Sequence, residues 1–101
     1  MKFTIRFSQL ASDDLTDILG WHQSQGSEGL DKRFIEAIST VLRRLETSPE
    51  LYPIVRKNVR QALLQKFPYK IVYIIDGLNV EVFIVALTHQ KRNPNIWKKR
   101  L

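Results

Sequence analysis

Residues 69–92 constrain the fold of this chain more than any other stretch of the sequence. They contain two apolar runs, 71–75 and 82–85, whose nine residues are all β-branched or aromatic. Between the runs lies Asp-Gly-Leu-Asn, 76–79, which is typical of a tight turn. The pattern predicts a β-hairpin in which 66–75 pairs with 79–88. Because both strands are apolar on both faces, we expect the hairpin at the centre of a sheet with other structure packed on it.

The first 24 residues change their hydrophobic period from that of a strand to that of a helix. The alternating sequence FTIRF, 3–7, predicts a short strand with one exposed face. Ser8 is a suitable N-cap for a helix over 9–24, and aspartates 13, 14 and 17 lie near its start, where negative charge is favourable. His22 falls on the apolar face of this helix, where a lone histidine is more often packed than catalytic.

A second amphipathic helix is expected to begin at Ser27, after a stop at Gly26, and to run through about Thr47. Its apolar residues recur at helical spacing and form one stripe: Leu30, Phe34, Ala37, Ile38, Val41, Leu42 and Leu45. Two such helices joined by a few polar residues predict an antiparallel helical hairpin. Its joint apolar face requires a cover, and the sheet is the available one.

The segment between the helices and the central hairpin contributes one further strand. Pro49 and Pro53 bracket an irregular connection, 48–55, which cannot continue a helix. Residues 56–64 are expected to form a strand, and 95–101 either a last helical turn or a flexible basic end. The sequence therefore predicts a small single α+β domain over 1–101. Its four-stranded antiparallel twisted sheet, in the order β-α-α-β-β-β, carries an N-terminal helical hairpin and a short C-terminal helical turn.

Charge is unevenly distributed along the chain. Residues 1–55 carry six Lys or Arg and eight Asp or Glu, a net charge of −2. Residues 56–101 carry ten Lys or Arg and two acids, a net charge of +8. The positive charge is thus concentrated in the half that contains the predicted sheet. Solubility alone is the simpler explanation, but such asymmetry indicates an anionic partner, either nucleic acid or an acidic protein segment.

Composition excludes several kinds of site. The chain has no cysteine, so a disulfide, a thiolate metal site and a thiol nucleophile are all excluded. His22 and His89 are far apart in sequence without a cluster of ligating partners, and no glycine-rich phosphate loop is present. We therefore expect no metal and no cofactor. There is also no signal-peptide pattern and no apolar stretch of the roughly 20 residues that span a bilayer, so we expect a cytoplasmic protein without a membrane partner.

Several features taken together resemble the RelE/ParE superfamily of toxins from type II toxin–antitoxin modules. They are the strand followed by a helical hairpin, the LETSPELYP junction at 45–53, the YKIVYIID core at 69–76 and the sequence VFIVALTHQKRNPNIWKKR at 82–100. The resemblance covers essentially the whole chain. It implies a growth-arresting bacterial toxin that is neutralised by a cognate antitoxin, whose C-terminal segment wraps around the toxin in a hetero-oligomer.

The superfamily has two main activities, and the resemblance alone leaves both open. RelE-like toxins cleave messenger RNA on the ribosome, and ParE-like toxins inhibit DNA gyrase. RNA cleavage requires groups that activate the 2′-hydroxyl, stabilise the charged phosphorane and protonate the leaving oxygen. The resemblance implies Lys66, Lys70, His89 and Arg92 as candidates for these catalytic roles. A different set, Arg56, Lys57 and Arg60 with His89 and Arg92, is also open.

Other RelE-like positions favour the ParE-like activity. Where RelE-like nucleases place alternating lysines, this chain has Gln-Ala-Leu-Leu at 61–64. The expected arginine falls at about Gln90, and the terminal aromatic residue falls at Trp97, whose indole is no general acid. We therefore expect the target to be DNA gyrase, with the ribosome and its mRNA as the alternative. An inactive relative that only binds antitoxin is a further alternative.

A gyrase inhibitor requires a binding surface and no catalytic set. The candidates for contact with the target or the antitoxin are residues of the basic half: Arg56, Lys57, Arg60, Lys91, Arg92, Trp97, Lys98, Lys99 and Arg100. Structural explanations compete for some of these and the nuclease candidates. His89 can fix the turn after the last strand, Arg92 can anchor the tail, and Trp97 can pack at the edge of the core.

Overall fold

The computed structural model describes residues 2–26, 29–92 and 94–101. In chain order its elements are β1 Thr4–Phe7, α1 Gln9–Ser24, α2 Leu30–Thr47, a short 3₁₀ helix Pro49–Leu51, β2 Ile54–Arg56, β3 Val59–Leu63, β4 Tyr69–Asp76, β5 Glu81–His89 and α3 Asn95–Lys98. The two long helices and the pairing of β4 with β5 agree with the predicted hairpins. None of these helices combines the length and apolarity needed to cross a membrane.

The sheet has five strands in the order β1-β5-β4-β3-β2, and it is mixed. β1 lies parallel to β5, with Thr4 opposite Glu81, whereas the other neighbours are antiparallel. The prediction of a four-stranded antiparallel sheet is therefore wrong in strand number and in the direction of β1. The strands from β2 to β5 alternate in direction, so β1 runs in the same direction as β5 and β3 and opposite to β4 and β2.

β2 is the strand that the sequence did not predict. Its first two residues, Ile54 and Val55, lie in the segment expected to be irregular, and Arg56 is the first residue of the expected strand 56–64. That strand is interrupted by a turn that begins at Lys57. Arg56 pairs with Val59 across this turn, and Lys57 has a φ of 49°. Positive φ usually requires glycine or asparagine, so a lysine at this position does not indicate a turn.

Local capping determines where the two long helices begin. The Ser8 side chain accepts a hydrogen bond from the Ala11 N–H at 3.0 Å, which confirms the predicted cap of α1. α2 begins after Gly29, whose φ of 75° lies in the left-handed region that glycine adopts at little cost. The predicted cap of the second helix, Ser27, lies outside the described residues.

The helical hairpin packs on one face of the sheet and forms the larger part of the core. Phe34, Ile38, Val41 and Leu45 of α2 are buried there. The sheet contributes Ala62, Leu64, Ile71, Tyr73, Val82, Ile84 and Leu87 to the same cluster. Full burial of an aliphatic or aromatic side chain stabilises the fold by about 1.5–3 kcal/mol. His22 is buried edge-on against Phe34, which confirms that this histidine is packed. We also expected it to be hydrogen-bonded, but its buried Nδ1 has no hydrogen-bond partner among the described residues.

The opposite face of the sheet is covered over its centre by α3. Trp97, which is 1% exposed, packs there against Val59, Val72, Val85 and Ala86. The indole is therefore part of a second, smaller core, in line with the structural explanation for this residue. Away from Trp97, the same face carries exposed or partly exposed side chains, among them those of the β2–β3 turn.

A β-bulge in β5 creates the attachment point for the end of the chain. Tyr73 pairs with Ile84 but its neighbour Val72 pairs with Ala86, so Val85 is an extra residue in β5. A bulge takes backbone groups out of the regular ladder. The Val85 carbonyl instead accepts a hydrogen bond from the Ser8 hydroxyl at 3.3 Å.

Arg100 joins the C-terminal segment to this bulge and to α1. Its guanidinium donates to both carboxylate oxygens of Asp14, at 2.6 and 3.0 Å, and to the Val85 carbonyl at 3.1 Å. Asp14 also accepts the Leu87 N–H at 3.0 Å. Hydrogen bonding to Asp14 raises the pKa of Arg100 further above its already high ordinary value. Three separate parts of the chain therefore meet at one charge pair.

Candidate target-binding surface

The four nuclease candidates do not converge on one site. Lys66 lines a groove of about 460 Å³ beside α2. Lys70 lies on the opposite side of the sheet, because it shares the strand face of Val72, whereas Tyr69 and Ile71 face the helices.

His89 and Arg92 line a third region, a cavity of about 500 Å³ beside α1. The four candidates therefore lie in three separate regions of the protein. No cavity lined by the described residues contains all four side chains.

Lys70 has an unusual environment for a cation. It is 5% exposed, and burial lowers the pKa of its ammonium group. No described residue forms an ion pair or a hydrogen bond with its side chain. Leu63 on β3 and Thr88 on β5 are its neighbours across the sheet. Among the described residues, no histidine or carboxylate stands beside this lysine in the strand ladder to complete an acid–base pair.

His89 makes contacts that explain it structurally. Its ring lies edge-on to Tyr69, with 5.9 Å between the ring centroids. Its Nδ1 accepts a hydrogen bond from the Lys91 N–H at 3.1 Å, which holds the turn after β5. The imidazole therefore fixes local backbone, as the structural explanation for this histidine predicts.

Two of the predicted binding cations are engaged within the fold. Arg60 donates to the Tyr52 carbonyl at 2.6 Å and to the Glu50 carbonyl at 3.1 Å, and so ties β3 to the preceding connection. Arg100 is held by Asp14 and the Val85 carbonyl. Arg60 makes two and Arg100 makes three hydrogen bonds within the fold, which fixes both guanidinium groups in place and makes them poorer candidates for binding a partner.

Three other predicted cations lie together on the face of the sheet opposite the helical hairpin. Arg56 and Lys98 line two adjoining cavities, of about 220 and 480 Å³, and Lys57 lines the larger one. We call Arg56, Lys57 and Lys98 the basic face. Among the described residues, no aspartate or glutamate side chain lines either cavity. The groove beside α2 contains Glu36 and the cavity beside α1 contains two aspartates, so positive charge is least compensated here.

Each member of the basic face is held by a different element. Arg56 ends β2, and Lys57 occupies the strained turn that follows. Lys98 ends α3, directly after the buried Trp97. The position of Lys98 therefore depends on the packing of the indole and on the Arg100–Asp14 pair that follows it in the chain.

The remaining predicted binding residues lie outside this group. Lys91, Arg92 and Lys99 are exposed, and Arg92 faces the cavity beside α1. The pairing of Asp14 with Arg100 was not predicted from the sequence, in which Asp14 is one of three aspartates near the start of α1. Asp14 lies beyond the first turn of α1 and is the partner of Arg100. Only the tertiary fold brings residues 14 and 100 together, so helical spacing gave no indication of this pair.

Comparison with known families identifies the chain. The family model described as the ParE toxin of the type II toxin–antitoxin system parDE matches residues 5–94. The chain belongs to the ParE toxin family. This toxin is therefore a component of a type II toxin–antitoxin system, as the resemblance implies. No curated protein sequence matches the toxin.

Solved structures of related systems share the fold of this toxin. A chain of the chromosomal ParDE system from P. aeruginosa has a TM-score of 0.72 and 15% identity, covering 87% of this chain and 96% of that one. E. coli RelE, as a double-arginine mutant in the free state, has a TM-score of 0.72 and 14% identity, covering 100% and 99%. A chain of the Mycobacterium tuberculosis RelBE2 toxin–antitoxin complex has a TM-score of 0.63 and 20% identity, covering 88% and 99%.

Proposed function

We propose that this ParE-family toxin arrests growth by binding DNA gyrase through the basic face, without catalysing a reaction. The observation that carries the proposal is the dispersal of Lys66, Lys70, His89 and Arg92 over three surroundings. A binding inhibitor needs one accessible surface, and Arg56, Lys57 and Lys98 supply a compact, uncompensated one.

The dispersal argues against RNA cleavage on energetic grounds. Cleavage requires several donors within hydrogen-bond distance of one phosphorane, and removing one such donor from an enzyme typically costs about 3–4 kcal/mol. Lys70 lies on one side of the sheet, whereas Lys66 and His89 lie on the other side, which the helices cover. Losing the contribution of two donors would slow cleavage by several orders of magnitude.

One observation favours the alternative of a ribosome-dependent mRNA endonuclease. Burial lowers the pKa of Lys70, and a lysine that gives up its proton more readily is better suited to act as a general base. This lysine stands alone among the described residues, so it supports the alternative less strongly than the dispersal opposes it.

We further propose that a cognate antitoxin neutralises the toxin by covering the basic face with an acidic segment. Opposite charge would guide such a segment to Arg56, Lys57 and Lys98, where no described acidic side chain competes. Related structures described as toxin–antitoxin complexes, from M. tuberculosis and E. coli, support an antitoxin partner for this chain. An antitoxin bound there would exclude gyrase by occupying the same cations.

The test follows incorporation of labelled precursors after the toxin alone is induced in bacteria. We expect DNA synthesis to stop before protein synthesis, and purified toxin to inhibit supercoiling by gyrase. Reversing two charges, Arg56→Glu with Lys57→Glu, should abolish both effects. Lys32→Glu, an exposed charge reversal on α2, is the matched control and should leave both intact.

Lys70→Met separates the two mechanisms. It removes the buried ammonium group of Lys70 and keeps a side chain of similar length. We expect gyrase inhibition to be unchanged in this variant. If protein synthesis stops first, transcripts are cut within codons, and Lys70→Met abolishes the arrest, the toxin is a nuclease and the gyrase proposal is wrong.

A further inference from the structure

The cavity beside α1 carries polar and aromatic groups that are not part of the basic face. It has a volume of about 500 Å³, within the range of roughly 300–1,000 Å³ typical of small-molecule sites. Its aromatic and polar lining includes Asp17, Trp21, Tyr69, His89 and Arg92. We call it the α1 cavity.

Trp21 is the most exposed aromatic part of this lining. It is 57% exposed, although its ring rests edge-on against the buried His22, with 5.4 Å between centroids. An aromatic side chain that packs against the protein on one side and is open to solvent on the other can stack on a flat ligand. Trp97, in contrast, is 1% exposed and cannot stack on a ligand.

Three polar groups of the α1 cavity have hydrogen-bonding capacity left over. Among the described residues, no side-chain ion pair or hydrogen bond engages Asp17 or Arg92. His89 uses Nδ1 to accept the Lys91 N–H, so the neutral ring carries its proton on Nε2 and can donate it. One acceptor-only carboxylate therefore faces the same space as two donors.

Two further charges in the cavity are already paired with each other. Asp14 and Arg100 form the two-point ion pair that anchors the C-terminal segment. They are not free to bind a ligand, and their charges largely cancel. The uncompensated charges of the α1 cavity are therefore one negative, Asp17, and one positive, Arg92.

We infer that the α1 cavity binds a guanine nucleotide, with the base stacked on Trp21. The Watson–Crick edge of guanine presents two N–H donors side by side, which one carboxylate can accept together; adenine places a ring acceptor at the same position and would repel it. Asp17 supplies that carboxylate. Arg92 and His89 Nε2 supply donors for the phosphate.

The inference concerns a surface different from the basic face and does not depend on gyrase binding. The same guanine nucleotide could be a free mononucleotide or an unpaired residue in a single strand of RNA. Both sources present the same base edge and a phosphate, so both are compatible with the groups in the cavity.

The test is a titration of the intact chain with GMP and, separately, with AMP. Tryptophan fluorescence and the two indole N–H resonances report binding, because Trp21 is exposed and Trp97 is buried. We expect GMP to quench the emission of Trp21 and to shift its indole resonance while the Trp97 resonance stays in place. Trp21→Ala and Trp21→Phe remove this reporter, so isothermal titration calorimetry measures their affinity for GMP. Trp21→Ala should bind GMP roughly tenfold or more weakly, and Trp21→Phe should retain binding.

Asp17→Asn tests the recognition of the base. It should weaken GMP binding by roughly tenfold or more and strengthen AMP binding, since the amide loses one of the two acceptors that guanine uses and gains a donor for the ring acceptor of adenine. Asp13→Asn is the matched control, because Asp13 is an exposed aspartate on the same helix that does not line the cavity. It should bind GMP like the unaltered chain.

A short oligouridine with one central guanosine distinguishes the two sources. Tighter binding of this RNA than of GMP assigns the site to single-stranded RNA, and equal binding assigns it to the free nucleotide. The inference is overturned if millimolar GMP leaves the Trp21 resonance unmoved, if AMP binds as tightly as GMP, or if Asp17→Asn behaves like Asp13→Asn.

Discussion

At the scale of single residues, a few buried polar contacts hold together parts of the chain that are distant in sequence. Arg100 joins Asp14 to the bulge carbonyl of Val85, and Tyr73 donates its hydroxyl to the Pro49 carbonyl at 2.6 Å. Both contacts lie where water has little access, so removing one partner leaves the other without a hydrogen bond. Such losses cost more than the loss of an exposed contact.

Arg100→Ala should destabilise the toxin markedly. The side chains of Arg100 and Asp14 are only 17% and 19% exposed, and truncation leaves the carboxylate without its partner. We expect the free energy of unfolding to fall by about 2–3 kcal/mol in urea denaturation. Lys99→Ala, at the exposed neighbouring position, is the control and should change it by less than about 0.5 kcal/mol. Equal stability of the two variants would show that the pair contributes nothing.

Tyr73→Phe should cost about 1–2 kcal/mol, because it removes a buried donor and leaves the Pro49 carbonyl unsatisfied. Tyr52→Phe is the matched control, since no described residue bonds to the Tyr52 hydroxyl. Chemical denaturation at neutral pH measures both variants. A loss in Tyr52→Phe as large as in Tyr73→Phe would refute the role of the hydrogen bond.

The same pair of variants has a defined pH dependence. Burial raises the pKa of the Tyr73 phenol well above its ordinary value of 10.0. The folded state therefore keeps the proton that the unfolded state begins to lose near pH 10, so this stabilisation is present below that pH and is lost as pH rises further. The stability gap between the unaltered toxin and Tyr73→Phe should close in alkaline solution.

At the scale of elements, the sequence predicts regular pieces better than it predicts their connections. The bounds of α1 are the predicted 9–24, because the Ser8 cap and the helical period agree with each other. β2 was not predicted because Pro53 disfavours a strand and because Lys57, whose φ is 49°, is not a residue typical of a hairpin turn. The direction of β1 could not be predicted, because short strands carry no pattern that distinguishes parallel from antiparallel neighbours.

The candidate surface was predictable only as a set of residues. Charge asymmetry pointed to the basic half of the chain. The alternation of residues along a strand does not predict which Lys and Arg side chains form hydrogen bonds within the fold and which remain exposed. Arg60 and Arg100 turned inward to carbonyl and carboxylate groups, whereas Arg56 and Lys57 remained exposed. The partners responsible, Tyr52 and Asp14, lie 8 and 86 residues away from these arginines.

The β2–β3 turn supports a prediction about backbone strain. Lys57 adopts a φ of 49°, a conformation that asparagine tolerates better than other residues with a side chain. Lys57→Asn should therefore raise the free energy of unfolding by about 0.5–1 kcal/mol relative to Lys57→Ala. Both variants remove the same exposed charge, so denaturation curves isolate the backbone term. If the alanine variant is the more stable of the two, strain at this turn is negligible.

At the scale of the whole molecule, the distribution of charge controls how the toxin meets its partners. The half of the chain with a net charge of +8 contains β3, β4 and β5, and three of its ten cations, Arg56, Lys57 and Lys98, form the basic face. A concentrated field of one sign accelerates association with an oppositely charged surface, and salt screens it.

The gyrase binding that we propose for this toxin should weaken as ionic strength rises. Increasing salt from about 50 to 200 mM shortens the screening length and should slow association far more than dissociation. Surface plasmon resonance with immobilised gyrase separates the two rates. The doubly reversed variant, Arg56→Glu with Lys57→Glu, should show a shallower salt dependence. If the association rate of the unaltered toxin does not change with salt concentration, the basic face does not guide binding.

The pairing of β1 with β5 has a consequence for the order of events during synthesis. Residues 4–7 leave the ribosome first, yet their partners, residues 81–84, emerge only after most of the chain has been made. The first strand must therefore wait unpaired while both helices form, and the sheet closes late. The residues that fix Lys98 emerge later still, so the basic face is assembled last. A nascent chain therefore lacks a complete basic face for nearly the whole of its translation, and any interaction that needs this face has to wait until residues 97–100 have been made.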